Sequence, residues 1–331
     1  MISSMMNPYY LHTVSMSELY EAQYVGRPFI IRNLLYTGVY LLAGAPKIGK
    51  SFLVAQIAYH VSTGRMFWGM NVNQGTVLYL ALEDDYRRLQ NRMFRMYGLE
   101  DANNLYFAIM ASKVKNGLEE QLEFFVAEHP DTKLIIIDTL QKTREGSEGY
   151  SYGKDYDIIS PIKRLAEKHT ICVLLVHHTR KESADDVFEM ISGTTGLTGS
   201  VDGSLLMRKE NRTALEATID VVGRDYQDQI FYIHKDPDTL IWNLIRMETE
   251  LWRDPPDSIL DAVAKLVNPE QPQWTGSPTD LVQTLDLDIA SNALSKHLNV
   301  KCGKLLEEYE IKYENKAMHA GRRIKLTYIG K

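Results

Sequence analysis

A chain of 331 residues holds one large domain of about 250 residues and a small one, and its 44% hydrophobic share, without a low-complexity stretch, is that of a folded globular protein. Two cysteines, Cys172 and Cys302, exclude a disulfide framework or a zinc signature, and neither a signal peptide pattern nor an apolar run of about 20 residues is present, so a soluble, cytoplasmic protein without membrane contact is expected. The formal net charge of -6 argues against coating nucleic acid by bulk attraction, yet residues 291–331 carry seven Lys and two Arg against four Glu, a net of +5 that leaves -11 for residues 1–290.

Residues 1–38 read as a lead-in that packs on the core, with a short helical patch at Ser17-Glu18-Leu19-Tyr20 and an apolar stretch from Pro28 to Leu35. The core, residues 39–250, then alternates strand and helix. Strands are predicted at 39–43, 76–82, 104–110, 133–137 and 171–176, and helices at 50–62, 84–96, 117–128 and 155–168. Strands that are unbroken apolar runs between helices mean a parallel sheet buried on both faces. The predicted class is therefore α/β, doubly wound. Shorter alternating segments at 204–207, 214–222, 229–235 and 240–247 read as an antiparallel extension of that sheet. Pro255-Pro256 marks a boundary, and a small domain follows over residues 255–331. There the pattern predicts helices at 257–267, 278–285, 289–297 and 301–309, then a hairpin with strands near 311–313 and 324–328, the order of a winged helix-turn-helix.

Between the first core strand and its helix stands a G-x-x-x-x-G-K-S phosphate loop. The nucleotide-binding stretch runs Gly44, Ala45, Pro46, Lys47, Ile48, Gly49, Lys50, Ser51 and Phe52. Glycines at both ends let successive N–H groups and the helix N-terminus point at one phosphate; Lys50 neutralises the β/γ-phosphates, and the Ser51 hydroxyl is placed to ligate Mg2+. Asp138, at the end of the run Leu134-Ile135-Ile136-Ile137, reads as the Walker B metal ligand. Hydrolysis also needs a carboxylate that orients the attacking water. Glu83 is the best placed, with Asp84 and Asp85 beside it as first-turn acids that suit a helix dipole. His177-His178 end the next apolar strand, and since adjacent strand side chains face opposite ways only one of the two can sense the γ-phosphate.

These segments, from Ala43 to Ser51, Thr63-Gly64 to Gly69, Gly75 to Asp84, Ile136-Ile137-Asp138 and His177 to Lys181, together resemble the RecA-type ATPases of the plasmid replication helicase RepA kind, over roughly residues 15–246. The resemblance implies a RecA-like core that binds ATP with Mg2+ between neighbours of a homo-oligomeric ring, commonly a hexamer, on plasmids, phages and integrated elements. It also implies Glu83 as catalytic glutamate, Asp138 as Walker B aspartate and His178 as the sensor. Arg224 resembles the family's arginine finger, which a neighbouring subunit supplies to the phosphoryl group, with Arg208 and Lys209 as alternatives.

Single-stranded DNA is the expected partner of two polar loops, 141–154 with Tyr150 and Tyr152, and 180–200 with Ser192-Gly193-Thr194-Thr195-Gly196. Duplex DNA or a replication protein is the expected partner of the tail, through Lys301, Lys304, Lys316, Arg322, Arg323 and Lys325. The leading expectation is an ATP-hydrolysing DNA helicase or translocase. Its rivals are a nucleotide-switched DNA-binding regulator and a recombination ATPase without unwinding activity. A small-molecule kinase is disfavoured, because it normally carries an Arg-rich lid and an acceptor pocket.

Overall fold

The computed structural model describes residues 11, 13–24, 26–144, 152–179, 195–211, 213–224, 227–249, 256–318 and 321–330, with the backbone alone at 152–155 and 195–196. The chain forms two units: one of residues 27–252, the other of residues 1–26 together with 253–331. A short helix, α1 (Met16–Glu21), opens the described chain; Ser15 accepts from the Glu18 N–H, and the Glu18 carboxylate accepts from the Ser15 N–H in return.

In the larger unit, β1 (Phe29–Ile31) and β2 (Leu35–Tyr36) form a small antiparallel hairpin ahead of β3 (Gly38–Gly44). Then come α2 (Lys50–Thr63), β4 (Thr76–Ala81), α3 (Tyr86–Tyr97), β5 (Leu105–Ala108), α4 (Leu118–Glu128), β6 (Thr132–Asp138), a 3-10 turn at Leu140–Thr143, α5 (Tyr152–His169), β7 (Cys172–His178), α6 (Thr195–Ser200) and β8 (Gly203–Arg208). β9 (Glu216–Gly223), β10 (Gln229–Lys235) and β11 (Trp242–Thr249) complete it. The strands lie in the order β11-β10-β9-β8-β3-β7-β6-β4-β5. All seven residues of β3 are buried, as a central strand covered on both faces requires. On one face Tyr40 and Leu42 pack with Leu53, Val54 and Ile57 of α2; on the other Val39 and Leu41 pack with Leu122 of α4 and Ile162 of α5.

The sheet is a doubly wound, mainly parallel one with an antiparallel extension, and the extension begins one strand later than the alternation predicts. β8 pairs parallel to β3, and only β9, β10 and β11 pair antiparallel. The reason is the crossover: the chain leaves β7 at the carboxyl edge and comes back through α6 to start β8 at the amino edge, so β8 runs with its neighbours.

In the smaller unit α7 (Ser258–Leu266), β12 (Gln273–Gly276), α8 (Pro278–Thr284), α9 (Ser291–Tyr309), β13 (Ile311–Met318) and β14 (Gly321–Tyr328) follow one another, with strand order β12-β14-β13. The helices expected at 289–297 and 301–309 are one continuous helix. Leu294, Leu298, Cys302 and Leu305 recur at helical spacing across the expected break and enter one core with Leu260, Leu281, Ile324 and Leu326.

The lead-in does not pack on the core as one piece: Ile30, Ile31, Leu34 and Leu35 join the core of the larger unit, whereas α1 belongs to the smaller one. α1 buries no residue of its own. Polar contacts hold it instead, since Asn299 Nδ2 of α9 donates to the Tyr20 and Glu21 carbonyls and Arg322 of β14 pairs with Glu21.

Candidate nucleotide and hydrolysis site

Strand parity builds the site. Along β6 and β7, Leu134, Ile136, Leu174 and Val176 face α2, so Asp138 and His178, two residues further along each strand, emerge on that same face. Odd-numbered His177 falls on the other face and is buried. Of the two histidines, the structure brings His178 to the phosphate loop.

The loop from Gly44 to Ser51 joins β3 to α2. Gly49 caps α2 with φ +107°, a left-handed conformation that favours glycine, and a β-carbon there would lie 2.8 Å from Trp242 Cζ2. At Gly44 a β-carbon would meet the Met207 carbonyl at 2.7 Å. Both motif glycines are therefore required by close approach. Lys50 Nζ donates to the Gly44 carbonyl at 2.7 Å and the Ala45 carbonyl at 2.9 Å, and it stands 3.3 Å from His178 Nδ1.

A cavity of about 460 Å³ opens over this loop, and it brings together Pro46, Lys47, Gly49, Lys50, Ser51, Phe52, Glu83, Asp84, Asp138 and His178 of the residues singled out in the sequence. The acidic run after β4 is divided among three jobs. Glu83 faces the cavity and accepts from Thr139 Oγ1 at 3.0 Å; Asp84 pairs with Arg92 at 2.6 Å; Asp85 caps α3 by accepting from the Arg88 N–H at 2.9 Å. Asp138 is buried and accepts from the Tyr79 hydroxyl at 2.9 Å.

Burial pushes Lys50 down to about 8, against the opposing pull of the Asp138 and Glu83 carboxylates. Burial also raises Asp138, opposed by hydrogen bonds from Ser51 and Tyr79. His178 is lowered first by burial and then by the Lys50 charge, so it favours the neutral imidazole near pH 7.

Arg224 is not brought to this cavity. It lies just past β9, which ends beside Gly203 at the amino edge of the sheet, whereas the phosphate loop is at the carboxyl edge; its guanidinium donates to the Gly199 carbonyl. Arg208 makes a two-pronged pair with Asp220, and Lys209 donates to the Ala214 carbonyl while lying 5.1 Å from the Trp242 ring centre. The loop segments 145–151 and 180–194, with Tyr150, Ser192, Gly193 and Thr194, lie outside the described residues, as does the side chain of Tyr152. In the smaller unit Lys304 pairs with Glu308 and Lys316 with Glu314, while Arg323 and Lys325 are exposed on β14. No helix among the described residues is long and apolar enough to cross a membrane.

Four members of the site escape the motifs. Tyr79 and Thr139 have a local signal, a hydroxyl on the parity of β4 that faces Asp138 and one directly after Asp138. Lys235 of β10 and Trp242 of β11 have none, because they reach the loop from about 190 residues downstream.

Residues 11–184, just over half of the chain, match the sequence family described as AAA domain. The chain belongs to that AAA family. It is a P-loop ATPase. The DNA repair protein RadA of Helicobacter pylori strain J99 is 26% identical over 147 residues, 44% of this chain and 30% of RadA. The RadA of Streptococcus pyogenes serotype M6 is 25% identical over 146 residues, 43% of this chain and 28% of that protein. The chain thus matches less than a third of the length of these curated relatives. A DnaB-like replicative helicase, solved with its interactions with primase, superposes with a TM-score of 0.52 at 14% identity over 64% of this chain and 59% of that one. That likeness is one of fold: the larger unit is RecA-like.

The low position of Lys50 gives the site a pH signature. A bound phosphate favours the ammonium, while without nucleotide the amine is neutral above about pH 8. Binding then takes up a proton, and affinity for ADP is expected to fall by up to about tenfold per pH unit between pH 8 and 10. A Lys50→Arg variant stays charged and is expected to be flat over that range. Isothermal titration across the range reads both; equal slopes for the two proteins count against a neutralised Lys50.

Proposed function

We propose that the protein is a ring-forming, ATP-driven DNA helicase or translocase of the RepA kind, serving replication of a plasmid, phage or integrated element. One observation carries this reading. Glu83, Lys50, Ser51, Asp138 and His178 converge on one cavity, while Arg224 stands at the opposite edge of the sheet, so in this reading it serves a nucleotide held by another subunit. A head-to-tail interface of that kind closes naturally into a ring, here a hexamer.

In this scheme Glu83 orients and deprotonates the water that attacks the γ-phosphate in line, with Thr139 holding the carboxylate. Lys50 leaves the Gly44 and Ala45 carbonyls to neutralise phosphate charge, and His178, freed from Lys50, responds to the γ-phosphate and passes the change to the segment after β7. The Ser51 hydroxyl and the Asp138 carboxylate are the hard oxygen donors that suit Mg2+, and they would hold it. When bound, the ion supplies neutralisation of charge on the β- and γ-phosphate oxygens. Arg224 of the neighbouring subunit stabilises the charge that develops on transfer.

The match to RadA, whose name is that of a DNA repair protein, and the fold likeness to a DnaB-like replicative helicase support DNA as the polymer that is moved. The loops 141–154 and 180–200 would grip its single strand. The smaller unit follows the helix, strand, helix, helix, hairpin order of a winged helix. With α9 as reading helix and Arg323 and Lys325 on the wing, it would dock duplex DNA or a replication protein.

Steady-state ATP hydrolysis, measured with and without single-stranded DNA over a range of protein concentrations, tests the proposal. Stimulation by DNA that rises steeply with concentration is expected. Arg224→Ala should lower the stimulated rate by about 10³-fold while retaining nucleotide binding. Slow hydrolysis indifferent to DNA would favour a nucleotide-switched DNA-binding regulator instead.

A further inference from the structure

The phosphate loop is not the only cationic wall of the cavity. β10 runs in the same direction as β3 and β8, so its last residue, Lys235, arrives at the carboxyl edge. It shares the parity of Phe231 and Ile233, which pack on the α2 face, and it lines the cavity half-buried. Its ammonium lies 4.1 Å from the centre of the Phe52 ring, and the Arg92 guanidinium lies 5.2 Å from the same centre.

The charges around Lys235 do not balance. Lys209, Arg95 and Arg92 all act on it and, with burial as the largest cause, hold its ammonium below the ordinary lysine range. The neighbouring carboxylates are committed elsewhere. Asp236 accepts from the Asp238 and Thr239 N–H groups and from the Thr239 hydroxyl, and Asp84 is paired with Arg92 and Arg88. No carboxylate of the described residues forms an ion pair with Lys235. Arg92 also keeps Nε and Nη1 buried without a hydrogen-bond partner. A half-buried excess of positive charge beside unpartnered donors costs stability unless an anion completes it. The position is nonetheless held firmly. Arg95 of α3 donates to the Pro237 and Asp238 carbonyls, and so fastens the turn that follows Lys235.

We infer that Lys235 is a further nucleotide-binding residue, contributed by the same chain as the phosphate loop, and that it grips the α-phosphate, the phosphate nearest the ribose. This rests on the reading of the cavity as a nucleotide site. The assignment to the α-phosphate follows from polarity along the site. The carboxylates that act on Lys50 are Asp138 and Glu83, which mark the γ end where water attacks. The charges that act on Lys235 are cations, and one of them, Arg92, shares with it the ring of Phe52, one residue past Ser51, the proposed metal ligand. An anion lying against Phe52 while the γ-phosphate points to Glu83 is the α-phosphate.

The test is the affinity of the 331-residue chain for ADP, GDP and a non-hydrolysable ATP analogue, by isothermal titration, in the parent, Lys235→Met and Lys235→Arg. Loss of a charge-assisted contact in a half-buried site is expected to weaken all three ligands by the same factor, about tenfold or more, in Lys235→Met. Lys235→Arg should restore most of it, which a merely structural role for the aliphatic stem would not produce. Three results overturn the assignment. Unchanged affinity in Lys235→Met shows no contact, loss confined to the ATP analogue places the residue at the γ end, and loss for ADP but not GDP makes it a reader of the base. Should Lys235→Met unfold, Lys235→Gln, with a polar end on a shorter stem, carries the same comparison. A parent chain that binds none of the three would sink the nucleotide site itself, a result distinct from any of these.

Discussion

Replacing Glu83 by Gln is expected to lower steady-state ATP hydrolysis by about 10²–10⁴-fold while nucleotide affinity stays within a few-fold of the parent. The substitution is nearly silent structurally. Glutamine keeps the carbonyl oxygen that accepts from Thr139 Oγ1 at 3.0 Å, and the side chain faces the cavity, so no packing is lost. What disappears is the group that can take a proton from water. Neither neighbour can stand in for it, because Asp84 is held by Arg92 and Asp85 is spent on the first turn of α3. An Asp85→Asn change, by contrast, should leave the rate close to the parent's and cost only part of a helix cap, about 1 kcal/mol or less. Rapid-quench measurement of the first turnover separates chemistry from product release. A Glu83→Gln chain that hydrolyses at more than a tenth of the parental rate would remove Glu83 from the mechanism.

Those three adjacent acids show where sequence stops being informative. All three suit both the start of a helix and a metal-dependent site, and only the end of β4, which releases Glu83 toward Thr139, separates them. The parallel strands were legible for a physical reason: Ile135 to Ile137 and Val173 to Val176 must be apolar at every position when both faces are covered, and few other structures demand that. Parity then extends the pattern by two residues, to Asp138 and His178. It was less legible that β8 runs parallel to β3, since Ser204-Leu205-Leu206-Met207 carries no mark of direction; the crossover through α6 decides it. α1 is a clearer case still. Its capping box signals a helix, but its docking depends on Asn299, 279 residues from Tyr20, and no local rule reports such a pairing.

Trp242→Ala is expected to destabilise the larger unit by about 3–5 kcal/mol, a fall of roughly 10 °C in its melting temperature. Trp242 is fully buried at the start of β11, packed in the same core as α2 and touching Gly49 of the phosphate loop. Its backbone carbonyl accepts from Gln56 Nε2 at 2.9 Å and Trp68 Nε1 at 2.7 Å, and its backbone N–H donates to Gln56 Oε1 at 2.9 Å; alanine retains all three. The loss is therefore confined to the indole, which fills the space behind Gly49 and donates from Nε1 to the Gly49 carbonyl at 3.2 Å. Removing it opens a cavity directly under the residue whose left-handed backbone starts α2. Two consequences then arise together, a lower melting temperature and a weaker grip on phosphate, because the loop no longer has a wall to hold its curl. Trp242→Phe divides them: a ring of lesser volume recovers much of the packing but cannot donate to Gly49, so stability should return further than affinity. Saturating ADP raises the melting temperature of each chain in proportion to the logarithm of its affinity, so the same thermal scans with and without ADP read both effects. If the Ala variant melts ten degrees lower yet gains as much from ADP as the parent does, β11 supports the sheet alone and the phosphate loop holds its shape unaided.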